Sequence, residues 1–367
     1  MSNLVSIKEF EEHAYRVLPR NTLDYYRSGA GQQLTLKQNR EAFSRYKIRP
    51  RFLRNVEHRD LSTTVLGERI SMPIGISPTA MQRMAHPDGE CANVQAAQAL
   101  GTIFTLSTLS NSSIEEVAQA APHAIKWYQL YIYKDREVTK QLVERAERAG
   151  FKALVLTVDA PVFGIRLADV KNKFSLPPHL SLANFQGGKS TDINRKSEEG
   201  SGLNTYSMSL FDPTLEWRDI HWLKSITRLP IVLKGILTAE DALLGAEAGV
   251  AAILVSNHGA RQVDGTPASV EALPEIVKAV GDRVEVYMDG GITDGTDVFK
   301  ALGLGAKMVF VGRPALWGLA HSGEEGVKKV MNILKTEFDI ALGLSGCTKI
   351  SDIKPDMVVH ESFYSKI

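Results

Sequence analysis

The chain has 367 residues, its 43 Lys and Arg are balanced by 42 Asp and Glu, and 44% of its residues are hydrophobic. No net field draws it to nucleic acid or an anionic bilayer, and a mean hydropathy of -0.11 suits a soluble globular protein with a large core. Cys91 and Cys347 show neither metal-ligand spacing nor a disulfide framework, which predicts free thiols in a reducing or thiol-tolerant compartment and no metal site.

Residues 1–70 come first. The segment Met1 to Ser6 has neither an apolar h-region nor an arginine-rich transit pattern, and no apolar stretch is long enough to span a bilayer. Ser6 with Glu9 marks a helix start, and the pair Tyr25-Tyr26 follows. The segment is short for an independent domain, so it is expected to pack as a helical extension on the remainder, giving a single domain over 1–367.

Eight apolar, β-branched runs then recur at 73–77, 102–107, 125–131, 153–159, 231–235, 252–258, 284–291 and 308–313, each too short for a helix and each closing on polar residues or glycine. Helix-like segments at 89–99, 113–120, 136–149, 239–248 and 268–279 lie between them. Ser113 with Glu116 and Thr238 with Asp241 read as N-terminal caps, and Gly150 and Gly249 stand where a helix end favours a left-handed residue. The alternation predicts an α/β fold, a (β/α)8 TIM barrel. A doubly wound sheet is disfavoured, because the first run leads into Pro78-Thr79-Ala80 and no G-x-G-x-x-G appears.

Strand ends are roughly 22 to 33 residues apart except between Asp159 and Lys234, where about 75 residues intervene. An insertion over about 160–220 is therefore predicted after the fourth strand. Its part at 186–209 is rich in Gly, Ser, Asn and charge and reads as a mobile loop, either a lid over the site or a solvated excursion.

Residues at the C-terminal ends of barrel strands share one face. Here these are Thr79, Ser107, Gln129, Tyr131, Thr157, Asp159, Lys234, Ser256, His258, Arg261, Asp289 and Arg313, too many buried polar groups for core packing alone. In the run Ser256-Asn257-His258-Gly259-Ala260-Arg261-Gln262 a base active near neutrality precedes a carboxylate-gripping cation. Asp289-Gly290-Gly291 and Gly312-Arg313-Pro314, after the seventh and eighth strands, suit a phosphate, the alternative being ligand-free turns. Lys234 calls for an anion, an electron-rich cofactor or a neighbouring carboxylate. Arg166 is either a second anion anchor or a surface residue, and Tyr25 and Tyr131 either donate into the site or pack.

Seven motifs together resemble the FMN-dependent 2-hydroxy acid oxidase family, the glycolate oxidase group: Pro78-Thr79-Ala80, Gln129-Leu130-Tyr131, Thr157-Val158-Asp159, Leu233-Lys234-Gly235, the heptapeptide from Ser256, Asp289-Gly290-Gly291 and Gly312-Arg313-Pro314. The resemblance implies FMN at the barrel mouth and a homotetramer. It implies His258 as catalytic base, oriented by Asp159, with Arg166 and Arg261 on the substrate carboxylate and Tyr25 and Tyr131 on its carboxylate and hydroxyl. It assigns Pro78, Thr79, Ala80, Ser107, Gln129, Thr157, Lys234, Ser256, Asp289, Gly290, Gly291, Gly312 and Arg313 to FMN, with Lys234 also stabilising charge on the reduced flavin. The implied reaction turns a small 2-hydroxy acid into a 2-oxo acid while O2 becomes hydrogen peroxide.

Two positions depart from the family. Leu109 stands where tryptophan is usual in the substrate pocket, which predicts a longer or bulkier acid than glycolate, and Ile165 replaces an asparagine before Arg166. Competing readings are a dehydrogenase of the same chemistry with a different electron acceptor, a phosphate-binding isomerase or lyase, and a non-catalytic flavin protein. The C-terminal Ser365-Lys366-Ile367 is a near relative of the Ser-Lys-Leu peroxisomal address, so a peroxisomal import receptor is a predicted partner.

Overall fold

A computed structural model describes residues 4–185 and 201–366. Eight parallel strands close a barrel: β1 (Ile74–Ile76), β2 (Ile103–Leu106), β3 (Ile125–Leu130), β4 (Ala153–Thr157), β5 (Ile231–Ile236), β6 (Ala252–Val255), β7 (Glu285–Asp289) and β8 (Met308–Val311). Consecutive strands are neighbours, and β8 returns to β1 through Val309 opposite Ile74. The expected helices form at Gly89–Leu100, Ile114–Ala120, Arg136–Arg148, Ala239–Glu247 and Ser269–Val280. Ser113 and Glu116 make their reciprocal cap, Thr238 accepts from the Asp241 N–H, and Gly150 and Gly249 take φ of 77° and 76°.

Side chains alternate between the outer helices and the barrel interior, and this parity positions the site. Ile103, Trp127, Ala153, Val155, Val232, Ala252, Leu254, Tyr287, Met308 and Phe310 point inward and pack as one cluster, with Trp127 against Tyr287 and Phe310 at ring separations of 5.6 and 5.4 Å. Two residues on, these series reach Gln129, Thr157, Lys234, Ser256 and Asp289, and Ser107 follows Ile103 by four, so the polar layer is the top of the same stack. The other end is closed by a hairpin the sequence did not announce. Its strands, Thr63–Val65 and Glu68–Ile70, press Val65 and Ile70 into the interior cluster.

The N-terminal extension folds as α1 (Ile7–Val17), α2 (Arg20–Arg27) and α3 (Leu34–Arg45), with the Ser6–Glu9 capping box formed. Its α1 lies on the C-terminal helix, Arg313–Leu344, which is kinked at Ser322 and Gly323. The insertion after β4 corrects one expectation. Residues 186–200 lie outside the described residues, but 202–209 are not loop: Gly202–Leu210 is a helix with Leu203 and Tyr206 buried. Its apolar side chains are too few for a clear 3.6-residue period, which is why the glycine- and serine-rich composition misled.

Candidate active site

The inward polar layer is tied by two chains of polar contacts, one from Ser107 through Gln129 to Thr157 and one from Ser256 through Lys234 and Asp289 to Ser77. Gln129 accepts from Thr108 N–H (3.1 Å) and donates to Thr157 Oγ1 (3.1 Å), linking β2, β3 and β4. Lys234 donates to Ser256 Oγ at 2.9 Å and lies 3.6 Å from Asp289 Oδ2, which also accepts from Ser77 at 3.0 Å. Lys234 therefore does meet a carboxylate, and it also lines the cavity above. Among the described residues, Asp289 Oδ1 is buried without a hydrogen-bond partner.

Backbone conformation at the end of β6 is unusual. His258, Gly259 and Ala260 all have positive φ, at 59°, 61° and 64°, a left-handed run that side chains resist. Surrounding contacts hold it. Asn257 exchanges two amide hydrogen bonds with Asn39 of α3, at 2.9 and 2.7 Å, and its Oδ1 also accepts from Ala260 N–H. Gln262 donates to the carbonyls of Asp159 and Val162, tying the loop to the start of the insertion. The outcome is a fixed His258 whose N–H donates to Ser256 Oγ and whose Nδ1 lies 2.8 Å from Asp159 Oδ1.

Burial lowers the His258 pKa below its ordinary 6.5, and Lys234 and Arg166 add to this against the raising effect of Asp159. Burial acts to raise the Asp159 carboxyl, yet His258 and Lys234 outweigh it and leave the pKa below the usual value. A charged Asp159 only accepts, so it fixes the Nδ1–H tautomer of a neutral His258 and leaves Nε2 as the basic nitrogen.

Two cations converge nearby. Arg166 is 3% exposed, its Nε donates to Arg261 O at 3.3 Å, and Asp169 sits 3.7 Å away. Burial and then Arg261 push its pKa down to about 10, the signature of two guanidinium groups short of negative charge. Arg261 donates to the carbonyls of Tyr25 and Ser28 and lies over the Tyr25 ring, 4.7 Å from its centroid. Gly164 permits this approach, because a Cβ there would collide with the Arg261 and Gln262 carbonyls. Ile165 is 63% exposed and its carbonyl accepts from Gly31 N–H.

One cavity of about 540 Å³ joins these groups. Pro78, Thr79, Ala80, Ser107, Gln129, Thr157 and Lys234 line it, together with Tyr25, Tyr131, Leu109, Arg166, His258, Arg261, Asp289, Gly290, Gly291, Gly312 and Arg313. Asp159 and Ser256 do not; they stand behind His258 and Lys234 and hold them. Gly290 and Gly291 adopt φ of 94° and 86°, and Gly312 caps the helix that Arg313 begins, so backbone N–H groups and a helix N-terminus meet at one end.

The whole chain matches known proteins. The FMN-dependent dehydrogenase family model covers residues 14–360. The chain belongs to the FMN-dependent dehydrogenase family. Family membership brings FMN as cofactor and carries the expected barrel with it. Human 2-hydroxyacid oxidase 1 is 55% identical over 98% of this chain and 97% of its own length. Glycolate oxidase 1 of Oryza sativa subsp. japonica is 54% identical over 96% and 95%. Among solved structures, mandelate oxidase with (S)-4-hydroxymandelic acid superposes with a TM-score of 0.92 at 40% identity, covering 96% of this chain and 98% of that one. A soluble mutant of the membrane-associated (S)-mandelate dehydrogenase of Pseudomonas putida gives 0.90 at 35%, covering 98% and 100%.

Several residues of this family member's cavity were not anticipated. Tyr26 lines it and donates to Met81 O at 2.8 Å; Phe163 and Leu203 line it from the insertion. Phe211 stacks on Tyr131 at 4.5 Å, and Phe174 on Tyr25 at 4.4 Å. Tyr26 had a signal, its pairing with Tyr25, whereas the aromatic residues of the insertion follow no motif or period.

Proposed function

We propose that this enzyme oxidises an L-2-hydroxy acid to the 2-oxo acid, with O2 as the final electron acceptor and hydrogen peroxide released; FMN would supply the redox chemistry. The carrying observation is the part-buried His258, held from behind by Asp159, facing one cavity with two arginines. A neutral base and an anion clamp are the two groups that removal of a proton from a hydroxy acid requires.

The residues fit FMN. The cavity falls in the range of about 300–1,000 Å³ usual for small-molecule and cofactor sites, and the unpartnered Asp289 Oδ1 and the paired glycines offer acceptor and donors. Pro78, Thr79, Ala80, Ser107, Gln129, Thr157, Lys234 and Asp289 would surround the flavin, with Ser256 fixing Lys234 from behind. Gly290, Gly291, Gly312 and Arg313 would take the phosphate. Bound FMN supplies the two-electron acceptance that no side chain offers.

Arg166 and Arg261 bind the substrate carboxylate, which relieves their mutual repulsion. His258 Nε2 takes the proton, and Asp159 stabilises the imidazolium that forms. Burial raises the phenols of Tyr25 and Tyr131 above their ordinary pKa, so both stay protonated and donate to the carboxylate and hydroxyl. Lys234 holds positive charge on the cavity floor, where electron density arrives.

Leu109, with Phe163 and Leu203, gives the side-chain end of the pocket an apolar lining, and supports a substrate longer or bulkier than glycolate. We also assign the chain to the peroxisome through Ser365-Lys366-Ile367, the last residue of which lies outside the described residues, and to a homotetramer. Deletion of the tripeptide would leave the enzyme diffuse, and light scattering would return four times the chain mass. The deciding experiment is an anaerobic flavin-bleaching screen over glycolate, lactate, longer aliphatic and aromatic 2-hydroxy acids, followed by O2. Bleaching without peroxide on reoxidation would favour the dehydrogenase reading that the mandelate dehydrogenase likeness keeps in view; no bleaching by any acid would contradict the function.

A further inference from the structure

The cavity continues past the paired glycines. Beyond Gly291 and Arg313 it runs out between α1 and α3, where Glu11, Tyr15 and Arg40 line it. A Cβ on Gly291 would collide with Asn39 O, so the backbone of α3 rests on this turn, and Arg40 is the next residue along the helix. Arg40 Nη2 donates to Glu11 Oε1 at 2.6 Å, and Tyr15 OH donates to the same oxygen at 3.1 Å.

Arg313 is poorly equipped to neutralise a phosphate alone. Its Nε, Nη1 and Nη2 already donate to the carbonyls of Tyr26, Gly259 and Ser28, at 2.8, 3.0 and 3.0 Å. Those carbonyls occupy three of about five guanidinium donors, while a phosphate monoester carries about -1.5 to -2 charge at pH 7. Burial, then Arg261 and Arg40, push the Arg313 pKa down to about 9, which places Arg40 within electrostatic reach of the same spot.

We propose that Arg40 is a second cation for the FMN phosphate, and that Glu11 is the counter-ion with which the phosphate competes. The inference rests on the FMN reading above and adds a residue and a control to it. Without phosphate, Arg40 clasps Glu11 and joins α1 to α3. With it, Arg40 turns part of its charge to the ligand, and the Glu11 carboxylate becomes the nearest opposing charge.

The test is the rate at which FMN leaves the diluted holoenzyme, read as the rise in free-flavin fluorescence. Arg40→Met hastens release by about tenfold or more, the loss of one charge-assisted hydrogen bond, and Glu11→Gln slows it. Riboflavin, which lacks the phosphate, binds wild-type and Arg40→Met apoprotein equally, which also shows that the variant is folded. A purely structural clasp makes both variants release FMN faster and weakens riboflavin too; that pattern, or an unchanged release rate in Arg40→Met, overturns the proposal. Wild-type protein that retains no FMN overturns the underlying reading instead.

Discussion

At the scale of single residues, the candidate groups that line the cavity were legible and their support was not. His258, Arg261 and Lys234 stand at strand ends in a recognisable order, but Asn39, which locks the His258 loop, is over two hundred positions away in sequence and carries no motif. Burial dominates the His258 titration, and the sign follows: the working form is neutral, so kcat/KM falls as pH drops through the depressed pKa. The acid limb of the free enzyme is expected below about pH 6.5, and a pH–rate profile with its midpoint above that value contradicts the environment described. The same shift contributes stability above the unfolded value that is lost as pH falls, because the unfolded histidine takes the proton first. Leu109, 3% exposed in the cavity wall, is the proposed determinant of substrate size. Leu109→Trp should move the kcat/KM ratio of a longer over a shorter hydroxy acid down by about tenfold or more, since each methylene in an apolar pocket is worth about 1–3 kcal/mol; an unchanged ratio would place the specificity elsewhere.

At the scale of elements, short apolar, β-branched runs and caps made the barrel units readable, because strand burial and helix capping are local properties. What stayed hidden depends on contacts between distant elements: the helix Gly202–Leu210, the hairpin under the barrel, and the docking of α3 on the β6 and β7 turns. The reciprocal amide pair of Asn39 and Asn257 is the clearest such contact. Asn39→Ala leaves buried amide groups of Asn257 short of partners and should cost about 1–3 kcal/mol, read as a lower denaturant midpoint with unchanged m. A variant as stable as wild type would show that the left-handed run at His258 is held by other contacts.

At the scale of the whole molecule, the barrel separates chemistry from stability along its axis. Polar groups occupy the top inward layer, apolar rings fill the layers beneath, and Val65 and Ile70 seal the far end. Ile70→Ala should therefore cost about 2–5 kcal/mol of stability while the folded enzyme keeps its rate of flavin reduction; a matching loss of rate would mean that the two ends are coupled. The proposed proton transfer to His258, held by Asp159, from a hydroxy acid clamped by Arg166 and Arg261 is best read by stopped-flow anaerobic flavin reduction in His258→Gln. FMN should stay bound and bleaching should slow by about 10²–10⁴-fold; bleaching at the wild-type rate would remove His258 from that role.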